Sequence, residues 1–522
     1  MKKIKFTILA SILGIFILTT GCDNDVLADI NVDPNSSPEI NLEFLLARGT
    51  LRITNDAGMW IRSNHIYASN MIQHNADVSS FPQGDKYFYN PGYSAAMWDA
   101  YYGDAIKQLT NVVDNTEGDA DRVNLYAMAL TMRTYILFRL TDMYGDLPYQ
   151  QAGRGLVGQQ NWFPSYDTQD AIYGFIVDDL REARSLFTSS SNNIGNQDLL
   201  YGGNTVLWKK FINSLLLRVG MRLTKVDAAR AQAIFEEAAN DSNGLISSLE
   251  EDAYIVHTLG TGDNNNGISR PLSQSEQYAN GLRPSATFMN WMETNNDPRL
   301  TIISGGTGDP FDESTWDTNE HIGLPNGLDG NTAPTWAINE GIIANETEYT
   351  INIVSFINPK IYDLDDPAYL LSYGEVRLNL AEAVLRGWNV PGTATEHFEA
   401  GVRAAINKWE EFDATLAVPA GDIDTYLAGI DFANATNQME LIGEQYWAAQ
   451  YFDDIEAWYN WRRTGYPALT PVNYPTNETG GTIPRRMRYP ESEISGNPDS
   501  YDAAIQNQGA DLLTTRVWWD VP

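Results

Sequence analysis

The sequence predicts an all-α dominated fold, an α-solenoid of paired helices combined with a large irregular half. Apolar residues recur at spacings of three and four in seven segments, which is the pattern of amphipathic helices. These segments follow one another in pairs, so each helix hairpin can bury its apolar stripe on the next. Between about residues 251 and 367, glycine, asparagine and proline are too dense for long helices. Because long loops in a compact domain are mostly functional, we expect this half to carry a functional surface.

The N-terminus reads as an export signal followed by a lipid attachment site. Lys2, Lys3 and Lys5 precede an apolar run over residues 6–18, which is too short to cross a bilayer. Residues 19–22, Thr-Thr-Gly-Cys, resemble a bacterial lipobox, although Leu18 lies four residues before Cys22 instead of three. We therefore expect residues 1–21 to be removed, Cys22 to carry lipid, and residues 22–40 to form a tether. An ordinary secreted protein is the alternative.

The clearest helix lies in DRVNLYAMALTMRTYILFRLTDMYG, residues 121–145. Leu125, Met128 and Met132 belong to its apolar stripe, and Gly145 followed by Pro148 predicts its end. The same periodicity predicts the other six helices, over residues 168–187, 205–223, 228–239, 373–386, 395–409 and 439–461.

One domain is expected over residues 41–522, with helical repeats at about 41–250 and 368–465. An irregular insertion at about 251–367 separates the two repeat regions, and a shorter irregular segment lies at residues 81–93. The part from about 466 to 522 is also predicted to be irregular. Its ending VWWD, residues 517–520, indicates that it packs back onto the body.

The charge of the chain excludes partners that are polyanions. The formal net charge is −34, and loss of the signal takes the 34 basic residues to 31 against 68 acidic ones, a net charge of −37. Such a charge repels nucleic acid and anionic lipid, so only the lipid anchor is expected to contact a membrane. Disorder is a poor explanation of the acidity, because 27 Tyr, 18 Phe and 14 Trp accompany it.

Catalytic and metal-binding motifs are not legible in the sequence. The five histidines form no HExxH spacing, and the chain has no GxSxG, no Walker-type loop and no GxGxxG after a strand. Asp263 and Asn265 in GTGDNNNG offer oxygen atoms without the spacing of an EF-hand, which favours a plain turn over a calcium site. The acidic group at Asp309, Asp312 and Glu313 favours a solvated loop over a glycosidase pair. We therefore expect no enzymatic activity, no cofactor and no metal.

Aromatic residues outside the predicted helices are the better functional signal. Sugar rings stack on aromatic side chains while their hydroxyls bond to polar groups, and a chain rich in loop aromatics suits that task. Tryptophans within periodic helices, such as Trp208 and Trp458, are expected to be core. The candidate ligand-binding residues are Phe81, Tyr87, Tyr89, Tyr93, Tyr278, Trp316 and Trp336.

Several segments together resemble the SusD/RagB family of outer-membrane nutrient-binding lipoproteins, and in particular its SusD-like subgroup. The resemblance is carried, in order along the chain, by DINVDPNSS, LTDMYGDLPY, WKKFINSLLLRVGMRL, NDPRL, SYGEVRLNLAEAVLRGW, EAWYNWRRTGYP and IPRRMRYPESE. It implies four tetratricopeptide-like helix pairs and a less regular half with the ligand surface. It also implies a location on the outer face of the outer membrane and a SusC-type TonB-dependent barrel as partner.

The motifs of this resemblance identify a scaffold more than a cargo. Arg462 and Arg463 are expected to pair with buried carboxylates or carbonyls and not with ligand. The first hypothesis for the cargo is an oligosaccharide, captured by a non-catalytic binding protein. Peptides are the alternative cargo, since the family includes members that resemble peptide receptors, and a helical adaptor without a ligand is a third reading.

Overall fold

The computed structural model describes residues 41–78, 81–155, 157–189, 194–260, 262–274 and 281–522. Cys22 and Tyr278 lie outside these residues. The helices of ten residues or more are α1 (Leu42–Leu51), α2 (Ile106–Thr116), α3 (Val123–Tyr144), α4 (Gln169–Leu186), α5 (Thr205–Arg222), α6 (Ala228–Ala239), α7 (Tyr373–Leu385), α8 (Ala394–Asn407), α9 (Ala420–Ile430), α10 (Gln438–Ala449), α11 (Asp454–Thr464) and α12 (Pro498–Gln508).

Shorter elements connect these helices. A helix over residues 57–71 contains a π-helical stretch at Trp60–Ala68, and the helix that leads into α2 contains one at Tyr101–Ala105. The other short α-helices are Pro82–Lys86, Pro91–Ser94, Arg270–Gln274, Ala286–Thr294, Leu300–Ile303, Thr332–Asn339 and Glu491–Gly496.

The described strands form three small antiparallel sheets. They are β1 (Asn75–Asp77), β2 (Ala253–Ile255), β3 (Leu282–Pro284), β4 (Ser304–Thr307), β5 (Ser355–Ile357) and β6 (Ala368–Leu371). The pairs are β1 with β3, β2 with β6, and β4 with β5. Five of these six strands lie in or at the edges of the predicted insertion, where the described helices reach at most nine residues.

Helices that are neighbours in sequence pack as pairs, as the periodicity predicted. Helix α3 packs against both α2 and α4, while α5 packs against α6, α7 against α8, and α10 against α11. Contacts of α7 with α5 and α10 join successive pairs. The mainly helical fold class is therefore confirmed.

The predicted helix over residues 439–461 is wrong in one respect, because two helices occupy it. Phe452, with φ of 78°, lies between α10 and α11 in the left-handed region, which no helix interior can contain. Asp453 then caps α11, its side chain accepting a hydrogen bond from the backbone N–H of Glu456. Periodicity did not show the break, because both helices are buried along most of their length.

A network of buried ion pairs joins the helix pairs. Arg222 on α5 lies 2.9 Å from Asp142 on α3 and 2.6 Å from Glu456 on α11. Arg218, one turn earlier on α5, lies 2.6 Å from Glu375 on α7. These five side chains are at most 1% exposed. All five belong to the segments that carry the family resemblance. Those segments therefore serve to hold the scaffold together.

The structure confirms the expectation for Arg462 and Arg463. Arg462 donates to the backbone oxygens of Arg485 and Asp142, at 2.5 and 2.6 Å, and Arg463 forms two hydrogen bonds with the carboxylate of Glu382. The ending of the chain packs inward as predicted, because Trp519 is fully buried and its Nε1–H donates to Asp142 Oδ1 at 2.7 Å.

Among the described residues, no helix combines the length and the apolar character that a bilayer crossing requires. The same residues contain no group of three His, Cys, Asp or Glu side chains placed to hold a metal ion. The segment around Asp263 folds as a turn, in which the Asp263 carbonyl accepts from Asn55 Nδ2 and Asn265 Nδ2 donates to the Thr258 carbonyl.

Candidate ligand-binding site

Three irregular segments meet at one surface: residues 81–93, 325–332 and 470–478. The first turns sharply where the helix Pro82–Lys86 ends at Tyr87, whose φ is 60°. Gly84 lets this segment pack directly against the backbone of Ile66, because a Cβ at position 84 would lie 2.1 Å from the Ile66 carbonyl oxygen. The backbone N–H of Glu478 donates to the Tyr87 carbonyl at 3.1 Å, which ties the first segment to the third.

Asp85 and Lys86 fix the second segment onto the first. Both are buried, and the Lys86 ammonium lies 2.8 Å from Asp85 Oδ2 and 2.6 Å from the Asp77 carbonyl oxygen. The same Asp85 carboxylate accepts from the backbone N–H of Gly327 and from Asn326 Nδ2, at 2.8 and 2.7 Å. A charged pair that is this well hydrogen-bonded holds the loop in one place.

Residues of the second and third segments line an open cleft of about 500 Å³, here called the Tyr474 cleft, and the first segment holds them in place from outside its lining. Volumes of this size hold small organic ligands. Its lining combines one aromatic ring, proline faces and short polar side chains. The lining residues are Gln73, Ala286, Thr287, Pro325, Asn326, Gly327, Leu328, Asp329, Thr332, Thr470, Pro471, Val472, Asn473, Tyr474 and Pro475.

Tyr474 and Asp329 form the polar centre of the Tyr474 cleft. The Tyr474 hydroxyl donates to Asp329 Oδ2 at 2.8 Å, and the Asp329 carboxylate also accepts from the backbone N–H of Thr332. These bonds to Tyr474 and Thr332 lower the pKa of Asp329 to about 2, so the group is an ionised acceptor at neutral pH. The ring of Phe88 meets the Tyr474 ring edge-on, with 6.0 Å between centroids.

The charge of the lining indicates the kind of ligand that fits. Asp329 is its one acidic side chain, and no lysine or arginine is among the described residues that line the cleft. The Lys86 ammonium lies 5.8 Å from the centre of the Tyr474 ring, but it is buried and paired with Asp85. The amides and hydroxyls of the lining match the groups of a neutral polar ligand.

The prediction that Tyr87 belongs to the exposed ligand-binding surface is wrong. Its side chain has no exposed area, and its hydroxyl accepts from the backbone N–H of Val472 at 3.0 Å. Burial raises the pKa of Tyr87. The residue supports the floor of the Tyr474 cleft from below.

Phe81, Tyr89 and Tyr93 are half-buried on the first segment, beside the Tyr474 cleft and not in its lining. The rings of Phe81 and Tyr93 lie 6.4 Å apart, and the Arg488 guanidinium lies 4.0 Å from the centre of the Tyr89 ring. Trp336 packs in a small apolar cluster together with Leu328, which lines the cleft. Trp336 therefore packs behind the cleft, while Phe81, Tyr89 and Tyr93 lie on the first segment outside its lining.

Trp316 lies at a different cleft, of about 540 Å³, which includes Asn358 and Lys360. Its Nε1–H donates to the Asp309 carbonyl at 2.5 Å, and its ring lies 5.0 Å from that of Phe356. The lining of this cleft shares no residue with that of the Tyr474 cleft. The structure therefore separates Trp316 from the other predicted residues.

Sequence reasoning missed Tyr474 and Asp329. Both lie in segments that were interpreted only as turns, and the available signal was a tyrosine between prolines in PVNYPTN.

Comparison with known families and structures decides the identity of this scaffold. A family model described as "Starch-binding associating with outer membrane", SusD-like, matches residues 34–490. The chain belongs to the SusD-like family. A search of curated proteins finds no match.

Solved structures support the same family. The SusD-like chain is 30% identical to a chitin-binding protein, with a TM-score of 0.80, 92% of this chain covered and 100% of that one. It is 26% identical to a SusD-like protein from Bacteroidetes, with a TM-score of 0.81 and the same two coverages. A chitin-binding SusD homologue from Flavobacterium johnsoniae shares the fold at 23% identity, with a TM-score of 0.75 over 92% of this chain and 98% of that one.

Proposed function

We propose that the SusD-like chain captures a neutral oligosaccharide, of the class of N-acetylglucosamine oligomers, in the Tyr474 cleft. The observation that carries this proposal is the lining itself, with a tyrosine ring beside an ionised carboxylate, short amide and hydroxyl side chains, and no basic group. A sugar face stacks on the ring while its hydroxyls and acetamides bond to the polar groups. The chitin-binding relative at 30% identity supports this sugar class.

The role is binding without catalysis. Glycoside hydrolysis needs two carboxyl groups across the scissile bond, and Asp329 alone supplies a carboxyl group among the described lining residues. Phe81, Tyr89, Tyr93 and Trp336 extend the proposed binding surface, because the first three lie on the segment that is tied to the cleft-lining segments and Trp336 shares a cluster with Leu328.

The captured oligosaccharide is delivered to a SusC-type TonB-dependent barrel, and a lipid on Cys22 holds the chain at the outer face of the outer membrane. The family description of association with the outer membrane and the lipobox-like residues 19–22 support this part of the proposal. Co-purification of the barrel with the tagged SusD-like chain from solubilised outer membranes tests it, and recovery of the chain alone would contradict it.

Calorimetric titration with chitin oligosaccharides tests the site. Tyr474→Ala is expected to weaken binding by at least about tenfold, because it removes both the ring contact and the hydroxyl bond, each worth on the order of 1 kcal/mol. Trp316→Ala is the matched variant at the other cleft and is expected to bind as the unmodified chain does. If Trp316→Ala weakens binding and Tyr474→Ala does not, the site lies at the Trp316 cleft. If the chain binds peptides with micromolar affinity and binds no glycan, the cargo is peptide and not sugar.

A further inference from the structure

A loop between α3 and α4 presents two adjacent aromatic side chains to solvent. Trp162 is 58% exposed and Phe163 is 65% exposed, beside a cleft of about 450 Å³. This cleft shares no lining residue with the Tyr474 cleft. Exposed apolar side chains that adjoin each other in a patch mark interaction or ligand sites, whereas isolated ones are normal.

The loop is held at its base. Leu147 and Asp167 form an antiparallel bridge, with N–H to O distances of 3.2 and 2.9 Å. The Asp167 carboxylate accepts from the backbone N–H groups of Tyr149 and Gln150, both at 3.0 Å. These bonds close the base of the loop.

The far side of the loop is tied to the C-terminal part of the chain. Asn497 Nδ2 and Ser500 Oγ both donate to the Pro164 carbonyl, at 2.9 and 3.0 Å. The Tyr166 hydroxyl donates to Glu493 Oε2 at 2.6 Å. Trp162 and Phe163 directly precede the anchored Pro164, so their backbone is held in place and less entropy is lost on binding.

The cleft beside Trp162 has the composition of a small-ligand site. Trp98 and Tyr102, whose rings lie 4.7 Å apart, form one wall, and Lys107, Asn161 and Glu493 supply polar groups. The Trp162 Nε1–H already donates to the Gly155 carbonyl at 3.1 Å, which fixes the indole and leaves its exposed area mainly apolar. A fixed aromatic surface beside a concave wall with few polar groups suits a sugar ring.

We infer that this cleft, with Trp162 and Phe163, is a second oligosaccharide site that binds another stretch of the same polysaccharide. The inference rests on the proposed function of the Tyr474 cleft. Two sites on one chain turn the second binding event on a polymer into an intramolecular one, which raises the apparent affinity by 10²–10⁴ without new contacts at the first site. Short oligosaccharides that reach one site gain nothing from the second.

Binding of the purified full chain to insoluble chitin and to a chitin trisaccharide tests the inference. The double variant Trp162→Ala/Phe163→Ala is expected to lose at least about tenfold in apparent affinity for the polymer. Its calorimetric affinity for the trisaccharide at the Tyr474 cleft should stay within twofold of the original. Phe44→Ala is the matched control, because it removes an aromatic side chain that is 61% exposed on α1. Thermal unfolding verifies that all variants fold.

Each result decides one of the two claims. Polymer binding by the double variant that equals that of Phe44→Ala overturns the second site and leaves the Tyr474 cleft untouched. If the unmodified chain binds neither chitin nor its trisaccharide, the proposed function fails and the second sugar site fails with it. Loss of barrel co-purification by the double variant, with polymer binding unchanged, would identify the patch as a protein-docking surface instead.

Discussion

A single hydrogen bond sets the chemistry at the centre of the Tyr474 cleft. Because the Tyr474 hydroxyl donates to Asp329, the phenol ring is held in one orientation and the carboxylate keeps a lone pair for a ligand hydroxyl. The pKa of Asp329, lowered to about 2 by this bond and by Thr332, leaves the acceptor charged over the whole neutral range. In the proposed function, the sugar stacks on the ring and is oriented by the carboxylate.

Tyr474→Phe separates these two contributions. The ring remains, while the bond that orients it is lost, so we expect a fall in affinity of about 3- to 10-fold, the value of one hydrogen bond of about 1 kcal/mol. Tyr474→Ala should lose more.

Calorimetry at pH 5, 6 and 8 should show an unchanged affinity of the original chain, because Asp329 titrates well below that range. A midpoint near pH 5 would contradict the ionised carboxylate.

The sequence allows aromatic candidates to be chosen from irregular segments, but it does not predict which of them are exposed. Tyr87 and Tyr89 lie two positions apart in the same irregular segment, yet one is fully buried and the other half-exposed. The left-handed turn at Tyr87 and its bond to Val472 decide this, and both depend on a segment almost 400 residues away. No local pattern contains such information.

At the scale of elements, the helix pairs are joined by charge as well as by apolar packing. Arg222 connects α5 to α3 and α11, while Arg218 connects it to α7. Periodicity predicted the helices, because their apolar stripes follow the spacing of 3.6, but it did not predict these partners. The division of α10 from α11 at Phe452 was missed because both helices are buried along most of their length, so no change of periodicity marks the break.

Removing one partner of this network is expected to destabilise the fold strongly. Arg222→Met leaves the carboxylates of Asp142 and Glu456 buried with one cation fewer, which costs about 3–5 kcal/mol in the free energy of unfolding. Arg403→Met is the matched control, because Arg403 pairs with Asp424 on the surface and should cost less than about 1 kcal/mol. Urea denaturation followed by tryptophan fluorescence measures both, and equal losses would contradict the scaffold role.

For the whole molecule, the charge bears on the proposed attachment to the outer membrane. With the proposed signal removed, the net charge of −37 gains nothing from an anionic membrane surface, so the proposed lipid on Cys22 is the expected attachment. The long-range order of the family segments predicted the scaffold, while the cleft required the meeting of segments 81–93, 325–332 and 470–478.

Cys22→Ala tests the anchor. The variant should fold normally and leave the membrane fraction, because the cysteine is the proposed lipid attachment site and residues 22–40 precede the first described helix. Fractionation with immunoblotting measures this, and retention in the membrane pellet after a carbonate wash would refute the anchor.

Acid sensitivity of the whole fold follows from its buried carboxylates. Burial opposes the ionisation of Glu382, but Arg463 and Arg386 outweigh it and lower its pKa to about 2, against 4.5 for the free side chain. A lowered carboxyl pKa contributes stability above about pH 4.5, and this contribution is lost as pH falls toward 2. Buried Asp252, whose pKa is raised to about 8 by burial, acts in the opposite direction, so total stability alone does not isolate the effect.

Comparison with Glu382→Gln does isolate it. The original chain should exceed the variant in free energy of unfolding by up to about 3 kcal/mol at pH 7, and this difference should shrink steadily between pH 4.5 and 2.5. Every other titrating group is common to both chains and cancels in the difference. A gap that stays constant over this range, measured by urea denaturation at each pH, would show that Glu382 stabilises the α7–α11 contact by packing and not by charge.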